Sequence, residues 1–443
     1  MAEETQPDLI IELISSLEAR GFNSEEYRGS VARAIERLIS RQINIDDATL
    51  TIVDGWLFGS QEIPPSLQGQ QDSDNEIFKS VVPSVEKEAS DSVDSILWDA
   101  SGVSFLPGGN YPVLEVFVRI LLQRQEPERL LIRLSEYLDR QEDENVWRAL
   151  LMWFRYIKPN DKALLASFLT KLFAKYPDLS RERETAILLA NVHWVIPEFV
   201  HAMLLRWQND TAKLVQQAYG ELSTLVLLMQ PDLEWPHPLV EDILSNGSSP
   251  ARTGAAFATA HIWAEVEEKE RATGLLEKII NLSDDGSWPA ITDLFRIVDE
   301  INPSSEWLRI LNAMVDQIPS RPSFNSSYVV ERLQSLLPHH AHLVARFANA
   351  LVTKWGSDLA DLRTGTAAVA PELVDIAITL HRLGPQTQEA GIELFETLIA
   401  INVHGARQTL DQIDNRFRDS LAPVRNRLPR RRQSATRRAR RRT

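Results

Sequence analysis

Cysteine is missing from all 443 residues, and that absence closes off disulfide cross-links, thiolate metal sites and cysteine nucleophiles together. Zinc fingers and cysteine hydrolases are therefore excluded, and the composition fits a cytoplasmic protein. Long clean apolar runs are also lacking. The most apolar stretch, 186–205, carries Asn191, His193, Pro197, Glu198 and His201, which disqualifies it as a membrane span. The amino-terminal residues Met1 to Thr5 include Glu3 and Glu4 and no basic residue before an apolar core, so no signal peptide is expected. Strand-type alternation is nearly absent, and the chain contains no Gly-x-Ser-x-Gly elbow, no His-Glu-x-x-His and no dinucleotide fingerprint.

What is present is helical periodicity. Apolar residues fall at Leu214, Ala218, Leu222, Leu225 and Met229, at Leu373, Ile376, Ala377 and Leu380, and at Ile392, Phe395, Leu398 and Ile399, spacings that put each set on one stripe of a helix. On the first of these helices Gln217 and Glu221 occupy the adjoining polar face. Breaks between stripes carry helix punctuation at Pro159, Pro177, Pro231, Pro250, Pro303, Pro338 and Pro385. Ser249 followed by Pro250 suits an N-cap with proline in the first helical position. Taken in pairs, the stripes start near Pro112, Asp143, Arg181, Thr211, Ser249, Gly286, Asn325 and Pro371, a spacing of roughly 30 to 45 residues that suits two-helix repeats burying their apolar faces by stacking. The expected fold is all-α, an irregular α-solenoid of stacked helix pairs with a small amino-terminal helical bundle.

Four regions follow from composition. Residues 1–58 hold three helical stripes: Ile10, Leu13, Ile14 and Leu17, then Tyr27, Val31, Ile35 and Leu38, then Leu50, Val53, Trp56 and Leu57. Such helices can close a small bundle or cap the solenoid. As a helix-turn-helix the third segment would offer DNA no Arg or Lys, which a phosphate-gripping helix needs. Residues 59–92, with Pro64-Pro65 and the charged run from Glu86 to Asp91, read as a polar linker. The repeat region spans 93–415 and opens with Leu106-Pro107-Gly108-Gly109-Asn110-Tyr111-Pro112. That loop lacks the Lys-Ser/Thr of a phosphate-binding loop and reads as a structured entry to the first helix pair. Residues 416–443 form a basic tail with 12 Arg, no Lys and one Asp, a net of +11 against −26 for the rest of the chain.

The tail is the strongest compositional signal. Arg430, Arg431, Arg432, Arg437, Arg438, Arg440, Arg441 and Arg442 have no apolar periodicity among them, so disorder is expected when the tail is free. At this density they can neutralise several phosphates and bind nucleic acid without reading sequence. Two other readings stand beside that one: contact with the acidic body or an acidic protein partner, and no role at all.

Catalytic and metal constellations are thin. Glu198 and His201 form one Glu-x-x-His, and the other, Glu234 to His237, is interrupted by proline. His339, His340 and His342 lack a carboxylate within a turn, and read as a solvated polar turn. Asp232, Glu234, Glu267, Glu268 and Lys269 have the residue types of a metal-dependent nuclease but fall on helical segments, not adjacent strands. No catalytic site, metal or cofactor is expected. The 11 Trp, among them Trp147, Trp153, Trp194 and Trp207, suit either core packing or anchors of a binding face.

The irregular helix pairs resemble the HEAT and armadillo class of α-solenoids over about Pro112 to Phe417. Residues Leu106 to Pro112 and Gly405 to Phe417 are in addition similar to helical-repeat regions of bacterial conflict proteins. That likeness implies a solenoid that senses or holds a partner while an NTPase or effector acts. This chain has no nucleotide-binding loop, so those activities are expected in a partner chain. The composite expectation is a non-enzymatic adaptor or sensor with a protein partner on its solenoid surface and no membrane association. Its alternatives are a nucleic-acid-associated protein anchored by the tail and, third, an enzyme of unrecognised type.

Overall fold

The computed structural model describes residues 24–58, 94–98, 110–140, 143–267, 269–282, 284–297, 303–318, 327–337 and 339–409, with Pro107 and scattered positions in 12–21. Among the described residues every regular element is a helix, and the fold is all-α. None of these helices is long and apolar enough to cross a membrane. The linker expected at 59–92 and the basic tail at 416–443 lie outside the described residues. The chain divides into two compact units, residues 1–299 and 300–443.

In the first unit the helices are α1 (Glu25–Ser40), α2 (Asp47–Phe58), α3 (Tyr111–Gln123), α4 (Pro127–Arg140), α5 (Glu144–Phe154), α6 (Lys162–Lys175), α7 (Arg183–Val192), α8 (Pro197–Trp207), α9 (Lys213–Met229), α10 (Pro236–Asn246), α11 (Ser249–Glu265), α12 (Glu270–Asn281) and α13 (Trp288–Ile297). The second unit has α14 (Ser305–Gln317), α15 (Ser327–Ser335), α16 (Ala341–Trp355), α17 (Ala370–Leu383) and α18 (Pro385–Ala400). Helices begin at Tyr111, Glu144, Arg183, Lys213, Ser249, Trp288, Ser327 and Ala370, within two residues of the unit starts that periodicity and proline placement indicate.

Local chemistry sets these starts. Asp143 and Asp161 accept from Asn145 N at 2.9 Å and Ala163 N at 3.0 Å, and Ser304 accepts from Trp307 N at 3.2 Å, satisfying amides that have no partner within the helix. At α11 the cap is Ser248, whose Oγ accepts from Ala251 N at 3.3 Å, one residue earlier than expected. Ser249 is thereby free to donate to Asp284 Oδ1 at 2.7 Å.

In the first unit, odd-numbered helices pack on odd-numbered ones. α3 lies on α5, α5 on α7, α7 on α9, α9 on α11 and α11 on α13, while α4 packs on α6. The amino-terminal pair joins this series directly, since α1 and α2 both pack on α3. Arginines fasten it there. Arg119 reaches Glu36 at 2.7 Å and Ser40 Oγ at 3.0 Å, Arg133 reaches Asp54 at 2.6 Å, and Arg124 pairs with Asp47. Phe58 closes the seam against Phe117 and Tyr137 with the Arg133 guanidinium 4.7 Å from its ring. The acidic face of α2, weighed as a recognition helix, is spent on these intramolecular pairs.

The tightest packing lies between α9 and α11. A Cβ built on Gly220 would stand 1.9 Å from Ala251 O, and one on Gly254 would stand 2.1 Å from Gln217 O and 2.8 Å from Glu221 N. Reciprocal glycines thus let the two backbones touch, and Ala251, Ala255, Ala256, Ala258 and Thr259 keep the rest of the seam narrow and buried. Consequently α9 is buried around most of its circumference, including Gln217 and Glu221. The expected stripe on this helix is corrected at both ends: Leu214 and Met229 are exposed, and Val215, Tyr219 and Val226 are buried in their stead. A helix covered on all sides has no single apolar stripe to display.

In the second unit α14 packs on α16, α16 on α18 and α15 on α17. A single glycine joins α17 to α18. Gly384 has φ +148°, a conformation open to glycine and strained for other residues. The hairpin then closes until a Cβ on Gly391 would meet His381 N at 2.6 Å and Ala377 O at 2.7 Å.

These approaches predict opposite signs for chemically identical substitutions. Gly254→Ala and Gly220→Ala each lower stability by about 1–3 kcal/mol or more through overpacking against backbone. Gly274→Ala, on α12 with nothing within 4 Å of the added carbon, raises it by up to about 1 kcal/mol through helix propensity. Thermal denaturation of the three variants checks this, and a Gly254→Ala midpoint at or above that of the parent chain would sink the close-contact account.

Candidate functional site

The buried polar centre of the first unit is built on the α9–α11 seam. Gln217 and Glu221 are four residues apart on α9 and share a face. Gly254 on α11 presses against the backbone at these same two positions, and His261 follows it two turns further along α11. Arg183, the first residue of α7, completes the wall.

Residues 94–98 lie in this cradle as a short turn, held mainly through their main chain. Ile96 N and Leu97 N donate to the two Glu221 carboxylate oxygens at 2.9 Å each, and Ser95 Oγ donates to Oε2 at 3.0 Å. Gln217 Nε2 donates to Glu221 Oε1 at 3.0 Å and to Asp94 O at 2.8 Å. On the carbonyl side, Arg183 donates from Nε to Ile96 O at 3.0 Å and from Nη2 to Ser95 O at 3.1 Å. The amides of Ile96 and Leu97 therefore face a carboxylate and the carbonyls of Ser95 and Ile96 a guanidinium, an arrangement that follows the polarity of the peptide groups. Ser95 Oγ also accepts from Trp98 N at 3.1 Å, which closes the turn on itself.

Side chains add a second layer of recognition. Ser95 and Ile96 are buried, Leu97 and Trp98 are half-buried, and Asp94 is exposed. The Trp98 ring stacks on His261 with centroids 4.9 Å apart and planes 15° from parallel. His261 is held by its Nδ1, which lies 3.0 Å from Phe257 O. Glu221 is 0% exposed. Burial pushes its carboxyl up from the ordinary range, while the amides of Ile96 and Leu97, Gln217 and Ser95 act in the opposite direction. Three of the four donors, the Ile96 and Leu97 amides and the Ser95 hydroxyl, belong to the turn, and Gln217 on α9 supplies the fourth.

A second buried titratable group sits at the end of α7. His193 is 2% exposed, and its Nδ1 lies 2.8 Å from Ala190 O. That carbonyl can only accept, so it assigns the proton to Nδ1 and leaves Nε2, which has no partner, as the bare nitrogen. Burial depresses the His193 pKa.

The residues singled out from sequence are dispersed. Glu198 is exposed, and His201 stacks on Trp235 at 4.5 Å. His237 lies 2.8 Å from Arg271, and Lys269 stands over the Trp263 ring at 4.2 Å. Glu268, Gly108 and Gly109 lie outside the described residues. Among the described residues no group of three His, Asp or Glu is placed to hold a metal ion. The eight arginines Arg430, Arg431, Arg432, Arg437, Arg438, Arg440, Arg441 and Arg442 also lie outside the described residues. The tryptophans divide: Trp147 and Trp207 are core, Trp153 lies 5.0 Å beneath the Arg119 guanidinium, and Trp194 is 52% exposed.

Gln217 and Glu221, expected on a polar face, are instead buried as part of the cradle. A signal for it exists in Gly220 beside Glu221 and in the small residues from Ala251 to Ala260, which mark a close helix contact at that level. No family model, curated protein or solved structure matches the chain.

Two outcomes follow. Glu221→Ala leaves the Ile96 and Leu97 amides without their acceptor, lowers stability by at least about 2 kcal/mol and speeds hydrogen exchange at those amides selectively; unchanged exchange there would contradict the cradle. For His193, the depressed pKa means that the folded state resists protonation. Its contribution is complete above the unfolded value of about 6.5 and declines as pH falls below it. His193→Asn, which keeps a donor for Ala190 O, should flatten the loss of stability between about pH 6.5 and 5, and an unaltered acid slope would assign that loss to other groups.

Proposed function

We propose that the protein is a non-enzymatic adaptor or sensor whose helix pairs stack as an irregular solenoid of the HEAT and armadillo type and hold a protein partner. The observation that carries this reading is the cradle on α9 and α11, which holds five residues of polypeptide chiefly by their main chain. A surface that grips backbone in this way is suited to polypeptide ligands. The packing of odd-numbered helices on one another supports the stacked arrangement, which exposes long continuous surface to a partner. A cytoplasmic setting and a role in bacterial conflict, with an NTPase or effector on the partner chain, complete the proposal.

A second reading is favoured by the charge division, +11 in residues 416–443 against −26 in the rest. In it the arginine-rich tail anchors the protein to nucleic acid and the helical body recruits others. The two readings separate by salt and by truncation. Mobility shift with single- and double-stranded DNA and RNA, comparing the full chain with one ending at Asn415, gives a salt-sensitive, tail-dependent shift if the tail is the anchor. A shift absent under all conditions, with a protein partner retained by both chains, supports the adaptor. A partner lost along with the tail would contradict it.

A further inference from the structure

We infer that the cradle formed by Arg183, Gln217, Glu221 and His261 is a recognition site for a partner polypeptide presenting Ser-aliphatic-x-aromatic in a tight turn, with residues 94–98 as its resident competitor. This rests on the adaptor reading and adds to it the chemistry of the ligand and the place where it binds.

The resident segment defines what the site reads. Ser95 supplies one hydroxyl that donates to Glu221 and accepts from Trp98 N. Ile96 is the buried aliphatic anchor. Trp98 is the aromatic plate on His261. Asp94 and Leu97 contribute through main-chain atoms, Asp94 O to Gln217 and Leu97 N to Glu221, so the third position of the motif tolerates any residue with an amide. Aromatic–imidazole stacking and two charged side chains on a bare turn give affinity and polarity together, since a reversed chain would set carbonyls against Glu221 and amides against Arg183.

The segment also belongs to the same chain, which sets the terms of competition. A tethered ligand meets its own site at an effective concentration of about millimolar, so a free peptide of equal intrinsic affinity binds the native chain poorly until the resident is displaced. A partner gains access by offering a better-fitting turn or further contacts elsewhere on the helices.

The test uses full-length chains and a fluorescein-labelled peptide covering residues 90–102. Trp98→Ala weakens the resident at a half-buried position and leaves the cradle intact. The peptide should bind this variant saturably and at least about tenfold more tightly than it binds the parent chain. Adding Glu221→Ala to Trp98→Ala should abolish the binding, as should scrambling the peptide. A Trp98→Ala chain that melts like the parent and gives no saturable binding overturns the inference and makes residues 94–98 a structural staple. Pairing of Trp98→Ala with the parent chain in place of the peptide moves the occupant to a second copy and overturns the assignment to a partner.

Should Trp98→Ala fail to fold, hydrogen exchange on the parent chain decides. Ile96 and Leu97 amides that open more readily than those of α9 and α11 support a displaceable resident, and amides that open only with those helices overturn it. A partner still retained by a Glu221→Ala chain would leave the adaptor standing on another surface while removing the cradle as its site.

Discussion

The constraint on which the first unit depends is the contact of two helix backbones at Gly220 and Gly254. Neither helix leaves room for a Cβ at its crossing residue, and the atoms in the way are backbone carbonyls and amides that cannot rotate aside. Because Gly254 abuts Gln217 O and Glu221 N, the helix spacing and the placement of the two side chains that grip residues 94–98 are one geometric fact. Widening the seam by the width of a methyl group would carry Gln217 and Glu221 away from His261 on the opposite helix. The cradle is thus a consequence of close packing, with its polar groups arrayed along the seam where the two helix backbones touch.

Burying a carboxylate among neutral donors is costly unless every lone-pair direction is met. Glu221 is met by two amides, a hydroxyl and a carboxamide, and three of those four donors belong to the segment or depend on it. The helices would therefore be poorly satisfied with the cradle empty, and this is why a segment distant in sequence is drawn back onto α9. The same logic appears in milder form at the amino terminus, where Arg119, Arg124 and Arg133 hold Glu36 of α1 and Asp47 and Asp54 of α2 against α3 and α4. It recurs at Asp284, which accepts from Ser249 at 2.7 Å and Ser287 at 2.6 Å to fix the turn before α13. Long-range polar contacts of this kind join elements that the local apolar stripes do not connect.

How far sequence alone reached follows from that distinction. Helix starts were legible because they are local: the prolines and Asp143 act within one turn of themselves. The all-α class was legible for the same reason. The burial of Gln217 and Glu221 was not, since it depends on residues 94–98, more than 120 positions away, and on a backbone approach that an apolar pattern does not register. Leu214 and Met229 were misplaced by the same error, because a helix enclosed on all sides has no dominant face to find. Small residues gave the only local trace of the seam. The basic tail was plain as composition, and its arginines carry no pattern from which a geometry could be read.

Freedom from cysteine makes the central claim directly measurable. Spin labels placed by Asp94→Cys and Met229→Cys, both exposed positions, report the distance between the turn and α9 by double electron–electron resonance with no native thiol to interfere. A narrow distance distribution in the otherwise unchanged chain, broadened when Gly254→Ala is added, is the result predicted if the glycine contact holds the cradle in shape. A broad distribution in the unchanged chain, or a narrow one that Gly254→Ala leaves untouched, would contradict it.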